Sequence, residues 1–296
     1  MHGTVHHPLP SRAEVRGASE AELRRSLAEL VGVGRDRLFL THGATEAAAL
    51  VAHFVRRRSA SGGRRCRIAL PEYPPLRGIA LAAGFRLVVG NGTADLAILS
   101  QPRNPVGDLW SEDRLVAWAD GARSILIDET FREFTDARSV QRFGLRGLWS
   151  TGTFTKVYGG DDLRVGFVVV PERERAAFAR FHGLVTDEIA PYSIAGALAT
   201  LARRDRLLRT TRGIFERNRE WWRRATPAGP VLRAPLAFDD PVLPDGDRFA
   251  RACLRASVLV CPGSFFGKRS GVRVCLTRPS FPVDLAAYLR VRDRAA

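Results

Sequence analysis

The sequence predicts an α/β protein, with a large domain built on a three-layer, mostly parallel sheet and a smaller α+β domain after it. Three observations predict this. Short, largely apolar runs at 66–70, 95–100, 124–128, 148–154 and 165–170 have strand length and little in–out alternation, as strands buried on both faces do. Segments with helical period lie between them. Polar residues able to carry chemistry stand where the runs give way to loops, the edge at which open α/β sheets bind ligands.

Length and composition bound the rest. A chain of 296 residues, 45% hydrophobic, accommodates one large core and an appended smaller unit. The expected division is 1–34 as a reduced arm and first helix, 35–200 as the large domain and 201–296 as the small one. No apolar run approaches a membrane span, and the start lacks a signal-peptide pattern. Cys66, Cys253, Cys261 and Cys275 show no CxxC spacing and read as reduced, buried thiols, so a cytoplasmic protein is expected. The net charge of +15 raises nucleic acid as a partner. The arginines are scattered, however, and no nucleic-acid motif accompanies them, so only non-specific attraction to polyanions is expected. His2, His6 and His7 could bind metal adventitiously; no metal site is expected.

Leu23, Leu27 and Leu30 mark an amphipathic helix over 20–32, and a short strand follows at 37–40. The turn Gly43-Ala44-Thr45-Glu46 opens a helix at 47–55. Its free amides suit a phosphate, and it equally reads as a plain helix start capped by Thr45. The strand at 66–70 ends in a loop containing Tyr73; its ring could stack on a flat ligand or simply pack. A helix at 76–83 and a strand at 85–89 come next, and 90–93 is a shortcut into the strand ending at Ser100. The loop Gln101-Pro102-Arg103-Asn104-Pro105 follows, then a helix at 111–120 with Ser111 as N-cap. The strand at 124–128 ends in Asp128, with Phe131 and Arg132 just beyond.

The strand at 148–154 delivers Thr153, Thr155 and Lys156. Among 46 basic residues only Lys156 and Lys268 are lysines, and arginine cannot replace lysine in a Schiff base. Arg164 lies eight residues after Lys156. Helices are read at 173–183, from 192 and at 205–224, a strand at 236–238, and a helix at 247–256. The turn Pro262-Gly263-Ser264-Phe265-Phe266-Gly267 precedes a strand at 271–276 that carries Arg273.

In this order the motifs resemble those of the fold-type I, pyridoxal-phosphate-dependent class I/II aminotransferase family, nearest to its histidinol-phosphate aminotransferase and threonine-phosphate decarboxylase members. The resemblance covers about residues 37–276. It implies the PLP-transferase fold and pyridoxal phosphate as cofactor. It further implies Gly43, Ala44 and Thr45 as a phosphate cradle, with Arg164, Thr153 and Thr155 assisting. Tyr73 would stack on the pyridine, Asn104 would hold its phenolic oxygen, and Asp128 would pair with its nitrogen. Lys156 would carry the Schiff base and act as base, while Arg273 would grip the substrate carboxylate, with Arg278 the runner-up. The implied activity is transamination of an amino acid or amine with an oxo acid, in a homodimer.

Departures accompany the match. Gly160-Asp161-Asp162 replaces small or apolar residues, and Phe131 stands where a tyrosine usually bonds the phenolic oxygen. The arm is reduced to residues 1–19. Decarboxylation or other alpha-carbon chemistry, and a cofactor-binding protein without turnover, therefore remain alternatives. Arg132 is a further candidate for substrate contact.

Overall fold

The computed structural model describes residues 11–59, 64–90, 92–227, 229–239 and 245–294; His2, His6 and His7 lie outside them. Seven strands, β1 (Leu38–Thr41), β2 (Arg65–Ile68), β3 (Arg86–Val88), β4 (Ala94–Ser100), β5 (Ala122–Asp128), β6 (Leu148–Thr153) and β7 (Gly166–Val169), form one sheet in the order β1-β7-β6-β5-β4-β2-β3. The pairs from β3 to β6 are parallel, and β7 is antiparallel to both its neighbours. Every β4 residue and the last four of β5 are buried, as expected for strands covered on both faces.

Strand alternation sorts the core into layers. Phe39, Leu96, Ile98, Leu126, Trp149 and Val168 face α3 (Ala44–Arg58), α4 (Pro74–Ala82) and α6 (Arg175–Val185). On the opposite face, Leu99, Ile125 and Ile127 meet α5 (Glu112–Ala119). There Leu38, Leu40, Phe167 and Val169 meet α2 (Glu20–Val31) and α7 (Pro191–Ala202). Phe54, Trp149 and Phe178 meet edge-to-face with centroids 5.3–5.5 Å apart. Each large buried ring of this kind contributes about 1.5–3 kcal/mol by leaving water.

Beyond α8 (Arg204–Ala225), β8 (Leu236–Asp239), β9 (Cys261–Pro262) and β10 (Val272–Cys275) form an antiparallel sheet in the order β8-β10-β9, with α9 (Gly246–Arg255) beside it. Two helices were not anticipated. The short α1 (Arg12–Gly17) starts at a capping box of Ser11 and Glu14. The terminal α10 (Phe281–Asp293) buries Phe281, Leu285 and Tyr288, whose four-then-three spacing was a readable signal.

Other expectations shift. Helix α3 begins at Ala44, three residues early, with Gly43 at the N-cap, so Thr45 lies in the first turn and does not cap it. Cys66 and Cys253 are buried free thiols, whereas Cys261 and Cys275 are only half-buried. The chain does pass from β3 to β4 with no helix between them, although both pair parallel to β2.

Candidate active site

The carboxyl ends of β4, β5 and β6 open into a cavity of about 350 Å³, roofed by α8 and by strands β8 and β10. Eleven of the residues singled out in the sequence line it: Gly43, Ala44, Thr45, Tyr73, Asn104, Asp128, Thr153, Thr155, Lys156, Arg164 and Arg273.

The turn before α3 is built for close approach. Gly43 has φ +102°, a conformation that strongly favours glycine, and a Cβ there would lie 3.1 Å from Arg164 Nη2. Gly166 is as tightly placed, since its Cβ would come within 2.5 Å of the Gly43 carbonyl carbon. Glu46 Oε2 accepts the His42 amide at 2.5 Å, and the His42 carbonyl accepts Arg164 Nη2 at 3.1 Å. Arg164 itself has φ +49°, a left-handed conformation that costs a non-glycine residue about 1–2 kcal/mol. The first α3 amides, the guanidinium of Arg164 and the hydroxyls of Thr153 and Thr155 make one wall suited to a compact anion. Those hydroxyls lie 3.0 Å apart, and Thr153 Oγ1 is held 3.1 Å from the Val165 carbonyl oxygen.

Asp128 ends β5 with one oxygen committed. Its Oδ1 accepts from Thr130 N at 3.0 Å, Thr130 Oγ1 at 2.6 Å and Thr151 Oγ1 at 3.2 Å, while Oδ2 takes none of these bonds. Burial raises the pKa of Asp128, and the threonine hydrogen bonds and Lys156 oppose that rise. Lys156 makes no hydrogen bond or ion pair among the described residues. Burial lowers its pKa; Asp161 works against that, Arg273 and Arg164 reinforce it, and Asp128 opposes it. A half-desolvated lysine kept near two arginines is biased toward the neutral, nucleophilic amine. The phenol of Tyr73 is pushed up by burial and by Asp128.

Arg273, on β10, donates from Nη1 to Asn104 Oδ1 at 3.1 Å and from Nη2 to Cys261 Sγ at 3.3 Å, and its buried Nε has no partner. Its guanidinium carbon lies over the Phe266 ring, 4.9 Å from the centroid. This is a guanidinium fixed in place with donor capacity to spare, the arrangement that receives a carboxylate.

Two arginine assignments do not hold. Arg132 turns away from the cavity and is buried between Glu129, at 3.9 Å, and Glu133, at 3.6 Å, so it is neither a cavity residue nor a solvated one. Arg278 lies outside the cavity in a surface ion pair with Asp284 at 3.5 Å. Phe131 does line the cavity, beside Phe134 and Ile214. Sequence reasoning missed Glu72 and Ser100. The Glu72 carboxylate is fully buried and accepts the Tyr73 and Ser100 amides at 2.6 and 2.9 Å. A charged residue inside a Pro-x-Tyr turn, next to an apolar strand, was its only signal.

Comparison with known proteins now has a geometry to meet. The model of the family described as aminotransferase class I and II matches residues 14–281. Histidinol-phosphate aminotransferase of Aeromonas salmonicida is 29% identical over 203 residues, which is 62% of this chain and 54% of that protein. Capreomycidine synthase of Streptomyces vinaceus is 27% identical over 267 residues, 74% of this chain and 66% of that one. The chain thus spans between about half and two thirds of the length of these relatives. In three dimensions, a mutant of Thermus thermophilus aspartate aminotransferase superposes with a TM-score of 0.82 at 17% identity, covering 100% of this chain and 94% of that one. The matched span takes in every residue that lines the cavity, and the chain belongs to the class I and II aminotransferase family.

Proposed function

We propose that this chain moves an amino group between an amino acid and an oxo acid, with pyridoxal phosphate as its cofactor. One observation carries the reading: a lysine without a hydrogen bond or ion pair among the described residues, a strand-end carboxylate with an uncommitted oxygen and an anion-binding helix start share one cavity. The residues fit the cofactor. Gly43, Ala44, Thr45, Thr153, Thr155 and Arg164 would hold its phosphate, Tyr73 would cover the ring, Asn104 would reach its phenolic oxygen, and Asp128 would face its nitrogen. Bound pyridoxal phosphate supplies an electron sink that weakens the bonds at the alpha carbon of an attached amine.

The chain's own residues do the rest. Arg273 fixes the substrate through its carboxylate, a planar two-point contact that also sets which alpha-carbon bond faces the ring. Lys156 Nζ would hold the cofactor, and the same amine is placed to take the substrate's alpha proton and return it; burial, which lowers its pKa, favours the neutral amine that this needs. Asp128, its Oδ1 fixed by three hydrogen bonds, would face the ring nitrogen and favour its protonated form. Phe131, Phe134, Ile214 and Leu236 keep that side of the cavity dry. A homodimer belongs to this reading; Leu184, Val185 and Tyr192, each at least 51% exposed around the end of α6 and the start of α7, supply apolar surface for it. Light scattering at micromolar concentration tests it, and a monomer would refute it.

The deciding experiment is visible absorbance of the protein with pyridoxal phosphate, beside Lys156→Ala, followed by titration with single amino acids. A lysine-dependent band that bleaches with an amino acid and recovers with an oxo acid is expected. The absence of a lysine-dependent band would overturn the reading.

A second reading has its own support. The likeness to capreomycidine synthase covers 74% of this chain, and that protein's name is not an aminotransferase's. Phe131 also removes a phenol from the cavity. Alpha-carbon chemistry without amine transfer, including decarboxylation, fits the same residues. It predicts a band that responds to an amino acid while no oxo acid is formed from it.

A further inference from the structure

Glu72 sits outside the cavity, yet three of the cavity's walls are tied to it. It is 0% exposed, in the loop between β2 and α4. Oε1 accepts from the Tyr73 amide at 2.6 Å and from Ser100 Oγ at 2.6 Å, and Oε2 accepts from the Ser100 amide at 2.9 Å. Ser100 Oγ in turn accepts the Asn104 amide at 2.8 Å, and Asn104 Oδ1 accepts from Arg273. The backbone of Glu72 reaches the C-terminal part of the chain as well: its amide donates to the Phe266 carbonyl at 3.1 Å, and Phe266 is the ring on which Arg273 lies. One residue therefore joins three places: its carboxylate ties the Tyr73 loop to the Asn104 loop, and its main-chain amide ties both to the turn beneath Arg273.

Its countercharge is built in. Arg103 Nε, which has no hydrogen-bond partner, is 3.9 Å from Glu72 Oε2. Arg103 Nη2 is tied to the carbonyls of Ala69 at 2.7 Å and Pro71 at 2.8 Å, and its guanidinium lies 4.8 Å from the Trp110 ring. Such a pair is a poor source of stability, because both charges leave water. Buried pairs of this kind are retained where they fix a geometry.

We propose that Glu72 is a positioning residue: as a carboxylate, it holds Tyr73 and Asn104, and through Asn104 it holds Arg273, at the separation that cofactor ring and substrate carboxylate require. The inference rests on the cofactor reading above for its purpose, and on the hydrogen bonds alone for its physics.

The ionised form makes these bonds strongest. Two N–H groups and one O–H point at the two oxygens, and an added proton would remove the charge that strengthens all three and, at Oε1, where two donors already converge, would displace one of them. Burial pushes Glu72 up to about 7, with Arg103 and the hydrogen bonds from Ser100 and Tyr73 pulling it down. Arg103 is the charged group that acts on it; Asp108 and Arg114 act on Arg103 in turn. Because the folded value lies above the ordinary 4.5, this group's contribution to stability falls as pH rises from about 4.5 to about 7. The ionised state that organises the cavity is thus the less stable one for the fold, as expected of a residue kept for placement.

The test is Glu72→Gln, read by amide hydrogen exchange in the cofactor-free protein. The glutamine keeps the shape but aims an NH₂ at one of the donors. Exchange at the Tyr73, Ser100 and Asn104 amides is expected to quicken about tenfold or more, with β5 and β6 unchanged. In the wild type, protection of these three amides, corrected for intrinsic rates, should rise from pH 6 to pH 8; in the variant it should stay flat. With cofactor present, the lysine-dependent band should still form in Glu72→Gln, with about tenfold weaker cofactor binding and up to a hundred-fold lower kcat/KM. Should Glu72→Gln fail to fold, Ser100→Ala takes its place: it cuts the link to Asn104 while keeping the Tyr73 bond, so only the Asn104 loop should loosen. Unchanged exchange and unchanged pH dependence would overturn the inference. A wild type without a lysine-dependent band would instead overturn the cofactor reading, and the exchange result would still judge Glu72.

Discussion

Two polar regions lie on either side of the end of β5, and they treat charge in opposite ways. One is the cavity around Lys156. The other is a groove lined by Arg132, Glu133, Asp136, Arg204, Asp205 and Arg212. In the groove each of these carboxylates holds an arginine: Glu133 holds Arg204 at 2.8 Å, Asp205 holds Arg204 at 3.2 Å, and Asp136 holds Arg212 at 2.9 Å. In the cavity Lys156 has no partner among the described residues, and Asp128 keeps Oδ2 out of its hydrogen bonds. Neighbours in sequence part ways here, since Asp128, the last residue of β5, faces the cavity while Glu129, just beyond it, gives both oxygens to Ser139 and Val140. Paired charges hold a fold together, whereas charges kept from pairing store the capacity to bind and react.

Substitutions can break or sharpen this contrast. Lys156→Ala should have the largest effect, a loss of about 10⁴-fold or more in kcat together with the visible cofactor band, measured by stopped-flow absorbance. Asp128→Asn keeps the shape and removes the charge; kcat should fall about a hundred-fold while the band persists, in steady-state assays. Arg273→Lys should raise KM for the amino acid about tenfold or more and move kcat less, because a point charge replaces a planar fork. On the groove side, Arg212→Ala removes donors to Glu133 O at 2.8 Å and Thr135 O at 2.6 Å. It should cost about 1–2 kcal/mol of stability in denaturant titration and leave cofactor binding untouched. Were Arg212→Ala to abolish the band, the two regions would be one site and the contrast would fail.

How much of this was legible in the sequence follows the same division. Strand positions were readable because the middle of β4 (Leu96 to Leu99) and the end of β5 (Ile125 to Ile127) are buried and apolar without a break. The eleven cavity residues were readable because each sits in a short local motif. Partnerships across the chain were not. Glu72 meets Ser100 over 28 residues, and nothing local in either segment announces the other. Arg132 looked available because it stands just past Asp128; that its two local carboxylates, Glu129 and Glu133, enclose it away from the cavity is set by the 3-10 turn that the chain makes there. The start of α3 was misplaced by three residues because the sequence offers Thr45 as a cap, while the backbone uses the freedom of Gly43. Helix α10 went unread although Phe281, Leu285 and Tyr288 keep helical spacing, because Pro279 and Pro282 at its start read as loop.

Among the described residues no helix stands between β3 and β4, and β3 is a rim of the large sheet; an uncovered rim is a template on which another chain can add a strand. Here the rim is three residues long and starts with an exposed arginine, Arg86, too short and too strongly charged to be extended. Trimming the fold thus did not create a seed for aggregation. A longer or neutral β3 would.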